Sequence, residues 1–181
     1  MAKLMIASDI HGDAQTTSVL LERYRESGAE RLVLLGDILY HGPRNDLPAG
    51  YAPKRVIELL NEYKNDILAV RGNCDAEVDQ MVLQFPIMAD YAYITVDGLK
   101  IFATHGHNFN KDSLPPMEKG DILLHGHTHV PVAESFGENY YINPGSVSIP
   151  KENSPGSYIL YQDRVFSFCD LDGKEYKKFQ I

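Results

Sequence analysis

Cysteine is scarce in this chain: Cys74 and Cys169 are the only two among its 181 residues. They form neither the dense framework of a disulfide-stapled scaffold nor the paired spacing of a zinc finger. Long hydrophobic runs are also missing near the start, where the apolar stretch at residues 4–7 is too short for a signal peptide or a membrane span. We therefore expect a cytoplasmic protein in a reducing compartment, with no membrane partner.

Positive charge is in deficit, because 17 Lys and Arg residues stand against 25 Asp and Glu residues, giving a formal net charge of -8. A surface that grips a nucleic-acid backbone carries a basic patch, so we expect no nucleic-acid partner, although a local basic groove stays compatible with this total. Repeats, low-complexity tracts and linkers are absent from the sequence as well. Its length fits one domain, and we predict a single domain over residues 1–181.

The first half of the sequence alternates apolar strands with helices. Asp13 is placed to cap a helix that ends near Gly28, and Pro53 stands at the first position of a second helix. The buried strands are predicted at residues 3–8, 31–35 and 66–71. This β-α-β-α-β order implies parallel strands, and ligands of such sheets gather beyond the carboxyl ends of the strands.

The second half is rich in strands. Short helices are predicted at residues 75–83 and around 111–118. The strands are predicted at residues 91–96, 99–104, 121–125, 130–134, 139–142, 157–161, 164–169 and 174–180. The two halves together predict an α/β (α+β) fold in which two packed β-sheets are flanked by helices.

Five short polar clusters each follow a predicted strand. They are Asp9-Ile10-His11, Gly36-Asp37, Gly72-Asn73-Cys74-Asp75, His105-Gly106-His107 and Gly126-His127-Thr128-His129. In an extended segment, residues i and i+2 point the same way, so Asp9 and His11 can present a carboxylate and an imidazole together. Each cluster alone is more typical of a turn or a cap than of a ligand. Because all five clusters follow predicted strands, however, together they indicate a hydrolytic site with two metals. Such a site needs several oxygen and nitrogen ligands on rigid supports.

In this order the clusters resemble the motifs of the calcineurin-like metallophosphoesterases, which read Asp-x-His, Gly-Asp, Gly-Asn-His-Asp/Glu, His and Gly-His-x-His. The resemblance runs from Asp9 to His129. The segments 41–45 and 143–150 further resemble the small bacterial YfcE-type phosphodiesterases of this family. The resemblance implies a β-sandwich with helices on both sides.

The resemblance also implies a ligand set for two divalent metal ions. One ion would be held by Asp9, His11 and His129, the other by Asn73, His105 and His127, with Asp37 bridging both. The implied activity is that of a phosphodiesterase, in which a metal-bound hydroxide attacks the phosphorus of a small phosphate ester. Mixed nitrogen and oxygen ligands suit Mn, Fe, Co, Ni or Zn, and Mn is expected because related enzymes often use it.

Two residues are candidates for the catalytic proton donor. Cys74 occupies a position where many members of this family have a histidine that contacts the phosphate and protonates the leaving group. A thiol is a weaker donor and near two cations can become a thiolate, so we predict a preference for good leaving groups. His41, in the loop after Asp37, is the second candidate. The alternatives are a small buried packing residue at position 74 and an ordinary solvated loop residue at position 41.

Other polar residues near the clusters have weaker signals. Arg44 is a candidate phosphate clamp or a surface arginine, and His107 is either a support for the metal ligands or a structural residue. His125, inside a predicted strand, is interpreted as a core residue. The loop over residues 39–51 is predicted to shape the substrate site.

Alternative functions stay open at this point. The same fold resembles the sorting subunit of the retromer coat, a protein-interaction scaffold with a degraded site, and phosphomonoesterases and nucleases also occur in the family. The intact ligand set favours an enzyme over a scaffold. The sequence leaves the substrate and a homo-oligomeric state open.

Overall fold

The computed structural model describes residues 2–181, which contain two β-sheets and three helices. The strands are β1 (Lys3–Ala7), β2 (Arg31–Leu34), β3 (Ile67–Ala69), β4 (Tyr91–Val96), β5 (Leu99–Thr104), β6 (Ile122–Leu124), β7 (Pro131–Phe136), β8 (Asn139–Pro144), β9 (Ser157–Gln162), β10 (Val165–Asp170) and β11 (Glu175–Gln180). The helices are α1 (Ala14–Ser27), α2 (Pro53–Asn61) and α3 (Glu77–Gln80). Within residues 2–181, no helix is long and apolar enough to cross a membrane.

The strands form a six-stranded sheet in the order β11-β10-β9-β1-β2-β3 and a five-stranded sheet in the order β4-β5-β6-β8-β7. Strands β1, β2 and β3 are parallel neighbours, as the alternation of strands and helices predicts. In the second sheet, β5, β6 and β8 are also parallel. Each sheet therefore presents several carboxyl strand ends along one edge.

Helix α1 is fixed at both ends by its sequence. The Asp13 carboxylate accepts a hydrogen bond of 2.8 Å from the Thr16 N–H, which satisfies a donor that the first helical turn leaves unpaired. Gly28 ends the helix in the left-handed conformation, with φ of 67°. Between these ends, Leu20 and Leu21 are buried against the outer face of the six-stranded sheet. The predicted cap and the predicted end of this helix are therefore confirmed.

An apolar cluster lies on each face of the six-stranded sheet, because side chains alternate between the two faces of a strand. On β1, Met5 and Ala7 face the helices, whereas Leu4 and Ile6 face the second sheet. Each fully buried Leu, Ile or Met side chain contributes roughly 1.5–3 kcal/mol relative to leaving it exposed. The strand ends are consequently anchored on both faces, which makes them rigid supports for polar side chains.

The cover of the five-stranded sheet differs from the prediction. Helices α1 and α2 cover only the six-stranded sheet, and the helix expected around residues 111–118 is absent: this segment consists of bends and irregular backbone. Pro115 and Pro116 explain the difference, since proline lacks an N–H and disfavours a helical residue before it. Phe109, just before this segment, and Met117 within it cover the sheet instead. The predicted β-sandwich is confirmed, with helical cover on one side.

Candidate active site

All seven predicted metal ligands lie at the carboxyl ends of strands along one edge of the sandwich. From the six-stranded sheet come Asp9 and His11 after β1, Asp37 after β2 and Asn73 after β3. From the five-stranded sheet come His105 after β5 and His127 and His129 after β6. The two sheets therefore supply facing halves of the same site.

The first cluster consists of Asp9, His11 and His129, which are all buried. The Oδ1 atom of Asp9 lies 3.2 Å from Nε2 of His129 and 3.6 Å from Nε2 of His11. The two Nε2 atoms are themselves 3.2 Å apart. These three atoms are arranged around a common point, as the ligands of one ion are.

The second cluster is centred on His105. Its Nε2 atom lies 3.0 Å from Oδ1 of Asn73 and 3.1 Å from Nδ1 of His127. Asp37 stands between the clusters, with its Oδ2 atom 3.4 Å from Nε2 of His105 and 3.7 Å from Nε2 of His11. One carboxylate oxygen is thus within reach of both clusters.

Backbone carbonyls fix the tautomer of three imidazoles. The Nδ1 atoms of His11, His105 and His129 each lie 2.7 Å from a carbonyl oxygen, provided by Tyr40, Leu35 and Ile149 in turn. A carbonyl can only accept, so each Nδ1 carries a hydrogen, and in the neutral ring the lone pair of each Nε2 faces the site. Such outer partners orient imidazole ligands in metal sites.

The polar atoms of the first cluster fit a cation. Oδ1 of Asp9 is buried without a hydrogen-bond partner among residues 2–181, and the lone pairs of two imidazoles face it. Electron pairs at this distance repel one another unless a positive charge lies among them. His11, Asp37 and Cys74 form a further group whose ligand atoms lie within 4.8 Å of one another.

The carboxylates and imidazoles of the site shift one another's pKa values. Burial by itself raises the pKa of Asp9, but the imidazoles of His11 and His129 outweigh it and hold this pKa well below its ordinary value. Burial lowers the pKa of His105, yet its hydrogen bond to Asp37 and both carboxylates reverse the effect and raise it to about 9. A field that favours a proton on an imidazole also favours a metal cation in its place.

Unusual backbone conformations aim the ligands. Asp9, His11, Asp37, His127 and His129 all have positive φ, from 49° at His11 to 65° at His127. For residues with a Cβ atom, this left-handed region costs of order 1–3 kcal/mol each, and such strain concentrates at functional sites. The ladder of backbone hydrogen bonds around the strand ends stabilises these conformations.

Asp75 joins the loop after β3 to the loop after β2. Its carboxylate accepts hydrogen bonds from the backbone N–H groups of Asp37 at 2.8 Å, Ile38 at 2.8 Å and Gly72 at 2.7 Å. The neighbouring Cys74 donates its backbone N–H to Oδ1 of Asp37 at 2.8 Å. These contacts hold the Asp37 carboxylate in place from two sides.

A cleft of about 410 Å³ opens above the two clusters. Besides the ligand residues, it is lined by Arg44, Cys74, Thr128 and Lys151. Lys151 was not found from the sequence. The sequence signal for Lys151 is its position directly after the segment 143–150, in which the Ile149 carbonyl orients His129. The two cationic side chains give the cleft the charge that an anionic substrate requires.

The two candidate proton donors occupy different positions. Cys74 lines the cleft, and burial, followed by the Asp37 carboxylate, raises the pKa of its thiol to about 12. His41 lies beside the cleft, where its ring packs between Tyr40 and Tyr51 at centroid distances of 4.7 and 5.3 Å. Its Nδ1 atom is buried and has no hydrogen-bond partner in the described part of the chain.

Two further histidines lie near the candidate ligands but belong to neither ligand cluster. His107 stands 5.4 Å from His105 between ring centroids, and burial, together with His105, lowers its pKa. His125 is buried against Tyr141, and burial lowers its pKa to about 4, in agreement with its interpretation as a core residue.

Residues 2–163 match the family described as the calcineurin-like phosphoesterase superfamily domain, and the chain belongs to this superfamily. Among its relatives, the phosphodiesterase YfcE of Escherichia coli strain K12 is 52% identical over 172 residues, which cover 95% of this chain and 94% of that protein. The solved structure of the E. coli phosphoesterase Yfce has a TM-score of 0.96 at 50% identity and covers 99% of both chains. The predicted family and fold are thereby confirmed.

The fold extends to more distant proteins. Vacuolar protein sorting 29 of Cryptosporidium parvum has a TM-score of 0.65 at 19% identity, over 99% of this chain and 98% of that one. At this identity the likeness concerns the fold alone.

Proposed function

We propose that this protein is a metal-dependent phosphodiesterase that uses two divalent metal ions. The observation that carries the proposal is the position of Asp37, whose Oδ2 atom lies between the imidazoles of His11 and His105 at 3.7 and 3.4 Å. A carboxylate shared by two ligand clusters is typical of two-metal hydrolytic sites. The 52% identity to a protein named phosphodiesterase supports the same reaction for this chain.

The ligand assignment follows the two clusters. Asp9, His11 and His129 are proposed to hold one ion, Asn73, His105 and His127 the other, and Asp37 both. When bound, such ions activate water and neutralise charge on phosphoryl oxygens. Mn is our proposal for both positions, with Zn, Fe, Ni or Co as alternatives, because the donor set mixes imidazole nitrogen with carboxylate and amide oxygen.

The chain's own side chains complete the site around a small phosphodiester. Arg44 and Lys151 line the cleft and are placed to bind the anionic oxygens of the substrate. Thr128 lines the same cleft and offers a hydroxyl. Together they bind and orient the phosphate group over the ligand clusters.

Leaving-group protonation is proposed to be weak in this protein. Cys74 stands where many members of this family have an imidazole, and a thiol is a weaker hydrogen-bond donor than an imidazolium. His41, next to the cleft residue Gly42, is the second candidate donor. We expect a p-nitrophenyl diester to be cleaved much faster than the phenyl analogue, and Cys74→His to narrow that difference. An unchanged ratio of the two kcat/KM values would contradict this assignment.

A metal add-back experiment tests the proposed function. Metal-stripped protein receives Mn, Mg, Ni or Zn and is assayed on methyl p-nitrophenyl phosphate and p-nitrophenyl phosphate, which share one leaving group. We expect Mn to restore turnover, and the diester to be the better substrate. If no metal restored hydrolysis of either ester, the proposed function would be wrong.

A further inference from the structure

A second cavity adjoins the metal cleft. It is a groove of about 390 Å³ between the segment 39–57 and the segment 74–82. Cys74 lines both the cleft and the groove. The Cys74 Sγ atom also lies within 4.8 Å of the ligand atoms of His11 and Asp37, so the groove begins next to the candidate metal ligands.

The walls of the two cavities differ in polarity. Arg44 and Lys151 make the cleft cationic, whereas the groove is lined mainly by apolar side chains. The apolar lining comes from Leu39, Tyr40, Tyr51, Ile57, Val78 and Val82, and Lys54 and Asp79 add one cation and one anion. A phosphate group therefore fits the cleft and an uncharged, apolar group fits the groove.

Part of this apolar surface is exposed to solvent. Tyr40 is 42% exposed, Val78 64% and Val82 43%, although these side chains are large and apolar. Apolar side chains gathered in a concave surface next to a polar site are typical of a ligand-binding surface. The edge-to-face packing of His41 against Tyr40 and Tyr51 stiffens one wall of the groove before any ligand binds.

We propose that the groove binds an aromatic or other large apolar ester group of the phosphodiester substrate. With the phosphate in the cleft, one ester oxygen points over Cys74 and its substituent enters the groove. The substrates of this protein would then be phosphodiesters of a ring-containing, apolar alcohol rather than of small polar alcohols. This inference rests on the proposed function, and its experiment separates the two.

Binding of two phosphonates to the Mn-loaded protein tests the groove without catalysis. Methylphosphonate and benzylphosphonate present the same anionic group, but only the second carries a ring. Because burial of apolar surface is worth about 25 cal/mol per Å², we expect benzylphosphonate to bind at least about tenfold more tightly in calorimetry.

Three variants test whether the groove causes the tighter binding of benzylphosphonate. Val78→Asn and Val82→Asn place a neutral polar group in the groove, and both positions are exposed enough to accept it. Met81→Asn is the matched control, because Met81 lies in the same segment at 83% exposure but does not line the groove. We expect the first two to reduce the preference for benzylphosphonate severalfold while methylphosphonate affinity stays unchanged. The control should behave as the unsubstituted protein.

Each remaining outcome has a distinct meaning. If both phosphonates bound equally well while the methyl diester was hydrolysed, the groove proposal would be overturned and the proposed function would stand. If neither phosphonate bound and no diester was cleaved, the proposed function would fail as well. Sedimentation velocity tests whether the groove instead contacts a second copy of the chain. If Val78→Asn or Val82→Asn dissociated an oligomer and left the phosphonate preference unchanged, the groove would be an interface between copies and the proposal would be overturned.

Discussion

The two oxygens of the Asp37 carboxylate have different tasks. Oδ1 accepts the Cys74 N–H at 2.8 Å, and Oδ2 lies between His11 and His105 at 3.7 and 3.4 Å. In Asp37→Asn the amide oxygen can still accept the N–H, but the amide nitrogen cannot bind a cation. Since loss of an outer partner alone costs about 10–100-fold in metal affinity or activity, we expect a drop of at least about 100-fold in turnover. Metal content per chain after dialysis should fall as well.

A second buried carboxylate provides the control for that substitution. Asp13 is 4% exposed and caps α1, so Asp13→Asn makes the same exchange of oxygen for nitrogen away from the two ligand clusters. Asparagine is also a good N-cap, although its amide nitrogen cannot accept the Gly50 N–H that Oδ2 of Asp13 accepts at 3.1 Å, so we expect a small loss of stability and unchanged metal content. If Asp37→Asn kept both its metal and its rate, the bridging assignment would be wrong.

His125 makes stability depend on pH. Burial lowers its pKa from 6.5 to about 4, although its ring donates a hydrogen bond of 3.0 Å to the Gly126 carbonyl. At a pH between the pKa of the unfolded chain and that of the folded one, the unfolded chain binds more protons. The free energy of unfolding therefore falls as the pH falls through this range. At pH 5 this residue should cost about 2 kcal/mol relative to pH 7.

Urea unfolding of metal-stripped protein at pH 7 and pH 5 measures this loss. The variant His125→Gln keeps an N–H donor for the carbonyl but has no titratable group. We expect the difference between the two pH values to shrink by about 2 kcal/mol in the variant. An equal loss in both proteins would show that other groups cause the acid sensitivity.

At the scale of the elements, the ends of β2 and β3 approach so closely that only glycine fits at position 72. A Cβ atom there would lie 2.1 Å from Oδ1 and 2.3 Å from the backbone N of Asp37. Gly72→Ala must therefore displace the strand end or the carboxylate. We expect it to destabilise the fold by about 1–3 kcal/mol and to weaken metal binding in a titration.

The turn between β4 and β5 offers a matched glycine. At Gly98 a Cβ atom would meet nothing within 4 Å in the described part of the chain, and φ is +76°. Gly98→Ala should cost roughly 1–2 kcal/mol of backbone strain, comparable to the other variant, but leave metal affinity unchanged. Equal metal affinity in both variants would mean that the contact between Gly72 and Asp37 does not position the site.

The strands and the polar residues at their ends could be predicted because their signals are local. Buried parallel strands are continuous apolar runs, as at residues 31–34, and the polar residues that follow them mark the edge of the sheet. The three backbone hydrogen bonds to Asp75 could not be predicted, because they depend on how closely two loops approach in the folded chain. The sequence predicts a helix around residues 111–118 where the structure is irregular, although Pro115 and Pro116 are a local sign against a helix.

At the scale of the whole molecule, the site joins the two sheets. Asp9 and Asp37 extend from the six-stranded sheet, whereas His105 and His129 extend from the five-stranded one. Direct hydrogen bonds cross this edge as well, among them the His127 N–H to Oδ2 of Asp9 at 3.0 Å. Ions bound by both sets of ligands would link the sheets at one end. Binding of metal and stability of the fold are therefore expected to be coupled.

Calorimetry over a range of Mn concentrations measures this coupling. A ligand that binds only the folded state at 100 times its dissociation constant adds about 2.7 kcal/mol, which corresponds to a rise in Tm of about 5–10 °C for a chain of this size. We expect that rise for chelator-treated protein when Mn is added, and a much smaller one for Asp37→Asn. A Tm that did not change over the concentrations that restore hydrolysis would contradict the link between the sheets, because ions held by ligands from both sheets cannot bind the folded state without stabilising it.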